Sequence, residues 1–94
     1  MSASLLSSAE IDQQLAATPS WQIVNGELTR TFELTDFRAA LAFVNQVGEL
    51  AEAANHHPDI DIRYNKVRLA LVTHSAGGLT KNDFGLAAQI DLLN

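Results

Sequence analysis

From Phe37 to Ala54, apolar residues return every three or four positions: Phe37, Ala40, Leu41, Val44, Val47, Ala51 and Ala54. That period predicts a long helix with a single apolar face. Thr35-Asp36 offers its start, where an acid meets free N–H groups at the positive end of the helix dipole. Pro58 fixes the limit at His57, because the residue before a proline is pushed out of the α region. A helix of this kind must lay its stripe on another layer, and the sequence on either side supplies strands.

Asn25-Gly26 tolerates the positive φ angles of a type I′ turn, so Trp21–Val24 and Glu27–Leu34 read as a hairpin. Leu28, Arg30, Phe32 and Leu34 share one side of the second strand. Arg30 interrupts their apolar alternation, as expected of an end open to water. Asp59–Tyr64 alternates again, with Ile60, Ile62 and Tyr64 on one face and Asp59, Asp61 and Arg63 on the other, and Asn65-Lys66 reads as a tight turn. Val67, Leu69, Leu71 and Thr73 then face the core, while Arg68, Ala70, Val72 and His74 face away. Ala70 and Val72 are apolar for a solvated face, which points to a subunit contact there.

At the N-terminal end, Ser7 to Glu10 forms a capping box, Ile11 and Leu15 lie one turn apart, and Thr18-Pro19 stops the helix. At the other end Gly77-Gly78 makes a loop. Thr80 to Asp83 caps a last helix whose buried side is Phe84, Ala87, Ala88, Ile90 and Leu93. The order is α-β-β-α-β-β-α. It predicts an α+β fold over residues 1–94 as one domain: a four-stranded antiparallel sheet with three helices packed on one face.

Composition narrows the function. The 94 residues carry a net charge of -5, and the six Lys and Arg are scattered. Nucleic-acid binding needs a basic patch to displace counterions, so that class is set aside. The chain has no cysteine, hence no disulfide, thiolate metal ligand or cysteine nucleophile, which suits the cytoplasm. Neither a signal peptide nor a run of the ~20 apolar residues that span a bilayer is present, and no membrane association is expected.

All three histidines fall between Glu52 and Asp83, in the order Glu52, His56-His57-Pro58, Tyr64, His74, Asp83. Glu52 and His56 at i and i+4 on one helix would be neighbours, so the carboxylate can orient the imidazole; the same pair could serve only to finish a helix. Imidazole titrates near neutrality and can both give and take a proton, which general acid–base catalysis requires. His57 adjoins it where helix gives way to strand, so the two rings would grip different sides of a bound ring. His74 stands at a strand end beside a glycine loop, between Thr73 and Ser75, where rigid scaffolds place functional groups. Asp83 reads first as a helix cap. The three histidines also permit a zinc site, although adjacent histidine side chains diverge.

Glu-x3-His-His-Pro, the aromatic Tyr64 followed by Asn65-Lys66-Val67, His74 and Asp83 together resemble the signature of the pterin-4a-carbinolamine dehydratases. The Trp21 hairpin, the Phe37 helix and Leu79-Thr80 extend the resemblance over nearly the whole chain. It implies a lyase that removes water from 4a-hydroxytetrahydrobiopterin to give the quinonoid dihydropterin, in tetrahydropterin recycling, with no metal and no cofactor. By motif position His56 and His74 would act as acids on opposite faces of the pterin, with His57 beside them chiefly as a binding residue. Glu52 would orient His56, while Pro58, Thr73, Ser75 and Asp83 would shape the pocket. The resemblance implies a homodimer or homotetramer and a functional link to an aromatic amino-acid hydroxylase. The alternative is a non-catalytic pterin-binding or partner-regulating module, either coactivator-like or related to molybdopterin metabolism.

Overall fold

A computed structural model describes residues 4–93. Its elements follow the expected order: α1 (Ser8–Ala17), β1 (Gln22–Val24), β2 (Glu27–Glu33), α2 (Phe37–Ala54), β3 (Asp59–Arg63), β4 (Lys66–Leu71), a 3₁₀ turn (His74–Ala76) and α3 (Lys81–Asp91). The strands form one antiparallel sheet in the order β1-β2-β4-β3. Leu28, Phe32, Val67, Leu69 and Leu71 line its covered face. Against them pack Ala40, Phe43, Val47 and Ala51 of α2 and Phe84, Leu86, Ala87 and Ile90 of α3, with Ile11 and Leu15 of α1 at the margin. The Asn25-Gly26 turn has both residues at positive φ, 52° and 80°, as the I′ geometry requires.

The buried seam of α2 is rotated from the expected stripe. It runs through Phe43, whose ring centroid lies 4.7 Å from that of Phe32, whereas Phe37 and Leu41 stay 48% and 41% exposed. Ala54 is exposed as well. The apolar arc of the sequence is wider than one contact line, and the larger ring takes the core. On α3 the same correction exchanges Ala88, which is exposed, for Leu86, which is buried.

Arg30 does not mark an open end. Its guanidinium lies 4.1 Å from the Phe32 ring centroid and donates to Asp91 Oδ1 at 2.6 Å. Trp21 Nε1 donates to the same oxygen at 2.8 Å. The cation therefore pins the C-terminal end of α3, where the helix dipole favours positive charge, to the sheet. Ala70 sits on inner strand β4 between Thr29 and Asp59 and is 5% exposed within the single chain, while Val72 is half-buried.

The β3–β4 turn falls at Tyr64-Asn65 rather than Asn65-Lys66, and it turns Tyr64 outward, 67% exposed with φ at 53°. A bulky residue in the left-handed region is strained by roughly 1 kcal/mol. Tyr64→Gly is expected to raise the unfolding free energy by up to about 0.5 kcal/mol, with the entropy of glycine offsetting much of the relief. Urea denaturation with unchanged slope would register it.

In the α1 capping box the Ser7 N–H donates to Glu10 Oε1 at 2.8 Å. That bond first, then the Ser7 hydroxyl, holds the Glu10 carboxyl below its ordinary value of 4.5. This contribution to stability is complete above the ordinary value and fades as pH falls through the lowered one.

Candidate active site

Helix α2 ends at Ala54 rather than His57. Asn55 takes the left-handed conformation, φ 50° and ψ 44°, and its N–H bonds Ala51 O and Glu52 O. The next amide, His56 N–H, also closes on Ala51 O at 3.0 Å, satisfying the last carbonyls of the helix. This cap swings His56 off the helical path, so Glu52 and His56 are no longer stacked one turn apart. Glu52 Oε2 instead meets His57 Nε2 at 2.5 Å, and His56 Nε2 meets Asp83 Oδ1 at 2.6 Å. The orienting role expected of Glu52 toward His56 thus passes to Asp83.

Asp83 is fully buried and carries three polar contacts. Its Oδ2 accepts from Thr73 Oγ1 at 2.8 Å and from the Thr80 backbone N–H at 2.9 Å, and Oδ1 accepts from His56. Desolvating a carboxylate is costly unless donors replace water, and here they do. Among the described residues no buried side-chain nitrogen or oxygen lacks a partner. As a carboxylate, Asp83 can only accept, so His56 Nε2 must bear a hydrogen whether the ring is neutral or charged. The nitrogen left to exchange protons is Nδ1: an acceptor in the neutral ring, a donor in the cation. One atom can then serve as base and as acid, the property a proton-shuttling catalyst needs.

His74 and Ser75 are exposed on the 3₁₀ turn that follows Thr73, not at the end of β4, which stops at Leu71. Thr73 N–H donates to Gly78 O at 3.0 Å and closes the loop that carries both. Through Thr73 the buried Asp83 reaches both histidine-bearing segments, His56 after α2 and His74 before the loop. Pro58 is half-buried between His57 and β3. His56 also borders a groove of about 290 Å³ shared with Ala54, Lys81, Asn82, Gly85, Leu86 and Gln89. That volume is at the small end for ligand sites, which begin at about 300 Å³. No group of three or more His, Asp or Glu side chains among the described residues is placed to hold a metal ion.

The Glu52–His57 pair is solvated, with side chains 76% and 57% exposed. Exposed ion pairs contribute little, so Glu52→Gln is expected to change stability by less than about 0.5 kcal/mol in thermal unfolding. Thr80 lies outside the expected set of site residues. Its capping role is legible in the sequence, but its 2.8 Å hydrogen bond to Thr73 Oγ1 depends on a contact between distant segments.

A family model described as pterin 4 alpha carbinolamine dehydratase matches residues 4–93. A protein of Chloroflexus aurantiacus that carries the provisional name pterin-4-alpha-carbinolamine dehydratase is 66% identical over 86 residues, 92% of each chain. A crystal structure described as transcriptional coactivator/pterin dehydratase from Brucella melitensis superposes with a TM-score of 0.89. It is 34% identical and covers 94% of this chain and 96% of its own. A pterin dehydratase-like protein identified as a RuBisCO assembly factor in the alpha-carboxysome shares the fold alone, at a TM-score of 0.63 and 23% identity, covering 78% of this chain and 84% of its own.

Proposed function

The chain belongs to the pterin 4 alpha carbinolamine dehydratase family, and on that footing we propose that it removes water from a 4a-hydroxytetrahydropterin. The observation that carries the reading is the Nε2 contact of His56 with Asp83, which leaves Nδ1 as the proton-exchanging atom. Hydroxide is a poor leaving group. An imidazolium at His56 or His74 protonates the 4a-oxygen, the C4a–O bond breaks, and the N5 electron pair forms the new C4a=N5 bond. N5 then gives up its proton to an imidazole, so the products are quinonoid dihydropterin and water, with no net change in protons or electrons. His57 acts chiefly in binding the ring, supported by Glu52, while Pro58, Thr73 and Ser75 shape the cleft.

We place the reaction in tetrahydropterin recycling beside an aromatic amino-acid hydroxylase, carried out in the cytoplasm by a homodimer or homotetramer. The test follows the loss of freshly generated 4a-carbinolamine by its ultraviolet absorbance, with and without protein. Acceleration in proportion to protein concentration is expected; an unchanged rate would refute the reading. A regulatory reading is favoured by one observation, the coactivator part of the description borne by the Brucella structure. A module of that kind would bind dihydropterin yet leave the carbinolamine rate untouched.

A further inference from the structure

We propose that Thr80, which is 0% exposed and so cannot touch substrate, is a positioning residue for the dehydration. It acts by fixing the Asp83 carboxylate that holds His56, and the proposal rests on the acid–base reading of His56 given above. The proton count makes the chain directional. Each threonine hydroxyl has one proton. Asp83 Oδ2 accepts from Thr73 Oγ1, so Thr73 has spent its proton there. In the Thr73–Thr80 hydrogen bond of 2.8 Å, Thr80 is therefore the donor. Thr80 Oγ1 in turn accepts from the Asn82 N–H at 3.2 Å. Its own backbone N–H donates to Asp83 Oδ2 at 2.9 Å. Thr80 thus acts on the carboxylate twice, directly through its amide and indirectly by polarising the Thr73 hydroxyl.

The consequence reaches both catalytic segments. With both Oδ2 donors in place, Oδ1 is aimed at His56 Nε2, and the neutral ring is held with its proton on Nε2. The same hydroxyl pair ties α3 to Thr73, the residue immediately before His74, so one buried network sets the relation of the two imidazoles. A helix cap alone would not need this. Capping satisfies the first amides of α3, and neither the bond to Thr73 nor the carboxylate's second oxygen enters into it.

Thr80→Val keeps the volume and removes the hydroxyl; Thr80→Ser keeps the hydroxyl and removes the methyl. In the intact protein, Val is expected to lower kcat about tenfold with KM changed less than about twofold, the scale of losing a hydrogen bond that supports a charged group. Ser is expected to retain kcat within about twofold. ¹⁵N NMR of the imidazole of His56, which does not depend on turnover, is expected to show mostly Nε2–H in the wild type and Thr80→Ser, and a mixture of tautomers in Thr80→Val, where Thr73 Oγ1 loses the donor that holds it on Asp83 Oδ2. Thr73→Val is expected to give the same mixture, which keeps the test open if Thr80→Val does not fold. A folded Thr80→Val with wild-type kcat and an unmixed tautomer would overturn the proposal, as would Thr80→Ser being impaired as much as Val. If wild-type protein shows no dehydratase activity while the tautomers behave as stated, the functional reading fails and the positioning network stands.

Discussion

Asp83→Asn is expected to abolish most of the dehydratase activity and a large part of the stability together. The carboxylate accepts three hydrogen bonds in a site closed to water. A carboxamide of the same shape has one accepting oxygen and one donating NH₂. If the oxygen serves Thr73 and the Thr80 amide, the NH₂ confronts His56 Nε2–H, donor against donor. Relief requires the ring to move its proton to Nδ1, which would take away the nitrogen that accepts protons on the proposed reading and make the doubly protonated ring still less favourable. General acid–base assistance is worth roughly 10²–10⁴ in rate, and the variant is expected to lose at least about a hundredfold in kcat. Leaving such a group mispaired costs roughly 2–4 kcal/mol. For a domain of this size that is a fall in Tm of roughly 10–25 °C. Calorimetry and the carbinolamine assay, run on the same preparation below the transition, separate the two effects.

The second large effect is expected from His56→Ala and His74→Ala made together. On the proposed reading each imidazole alone would still protonate the leaving oxygen or receive the N5 proton, so each single variant is expected to keep part of the acceleration. The pair together is expected to return the rate to that of solution, and the combined loss will not equal the product of the single losses. Stability distinguishes the two sites. His74 is exposed, and its truncation should stay within about 0.5 kcal/mol of wild type. His56→Ala removes a donor from buried Asp83 and is expected to cost about 1–3 kcal/mol. A double variant that stays folded by circular dichroism and still accelerates carbinolamine loss would remove histidine catalysis from the account.

The parts of this molecule legible in the sequence are those fixed by local rules. The Asn25-Gly26 hairpin, the Ser7–Glu10 cap and the long helix after Asp36 follow from residues within a few positions of one another. The order of elements and the antiparallel sheet follow from those. What the sequence hid was decided by a few angles and by contacts across the chain. Asn55 in the left-handed region ends α2 three residues before the limit Pro58 sets, and that single cap reassigns Glu52 from His56 to His57. Asp83 reads as a cap because one of its oxygens is a cap; the other oxygen meets a residue 27 positions away. Arg30 looks like a break in a strand because its partner, Asp91, is 61 positions on.

The central claim is that His56 and His74, carried by separate segments, serve one pterin. It is tested most directly by titrating the ¹³C/¹⁵N-histidine-labelled protein with an unreactive 7,8-dihydropterin and following both imidazoles by NMR. The account predicts that the His56 and His74 ring signals move together, on one binding curve with one Kd. Movement of only one of them, or two curves with different Kd values, would contradict it.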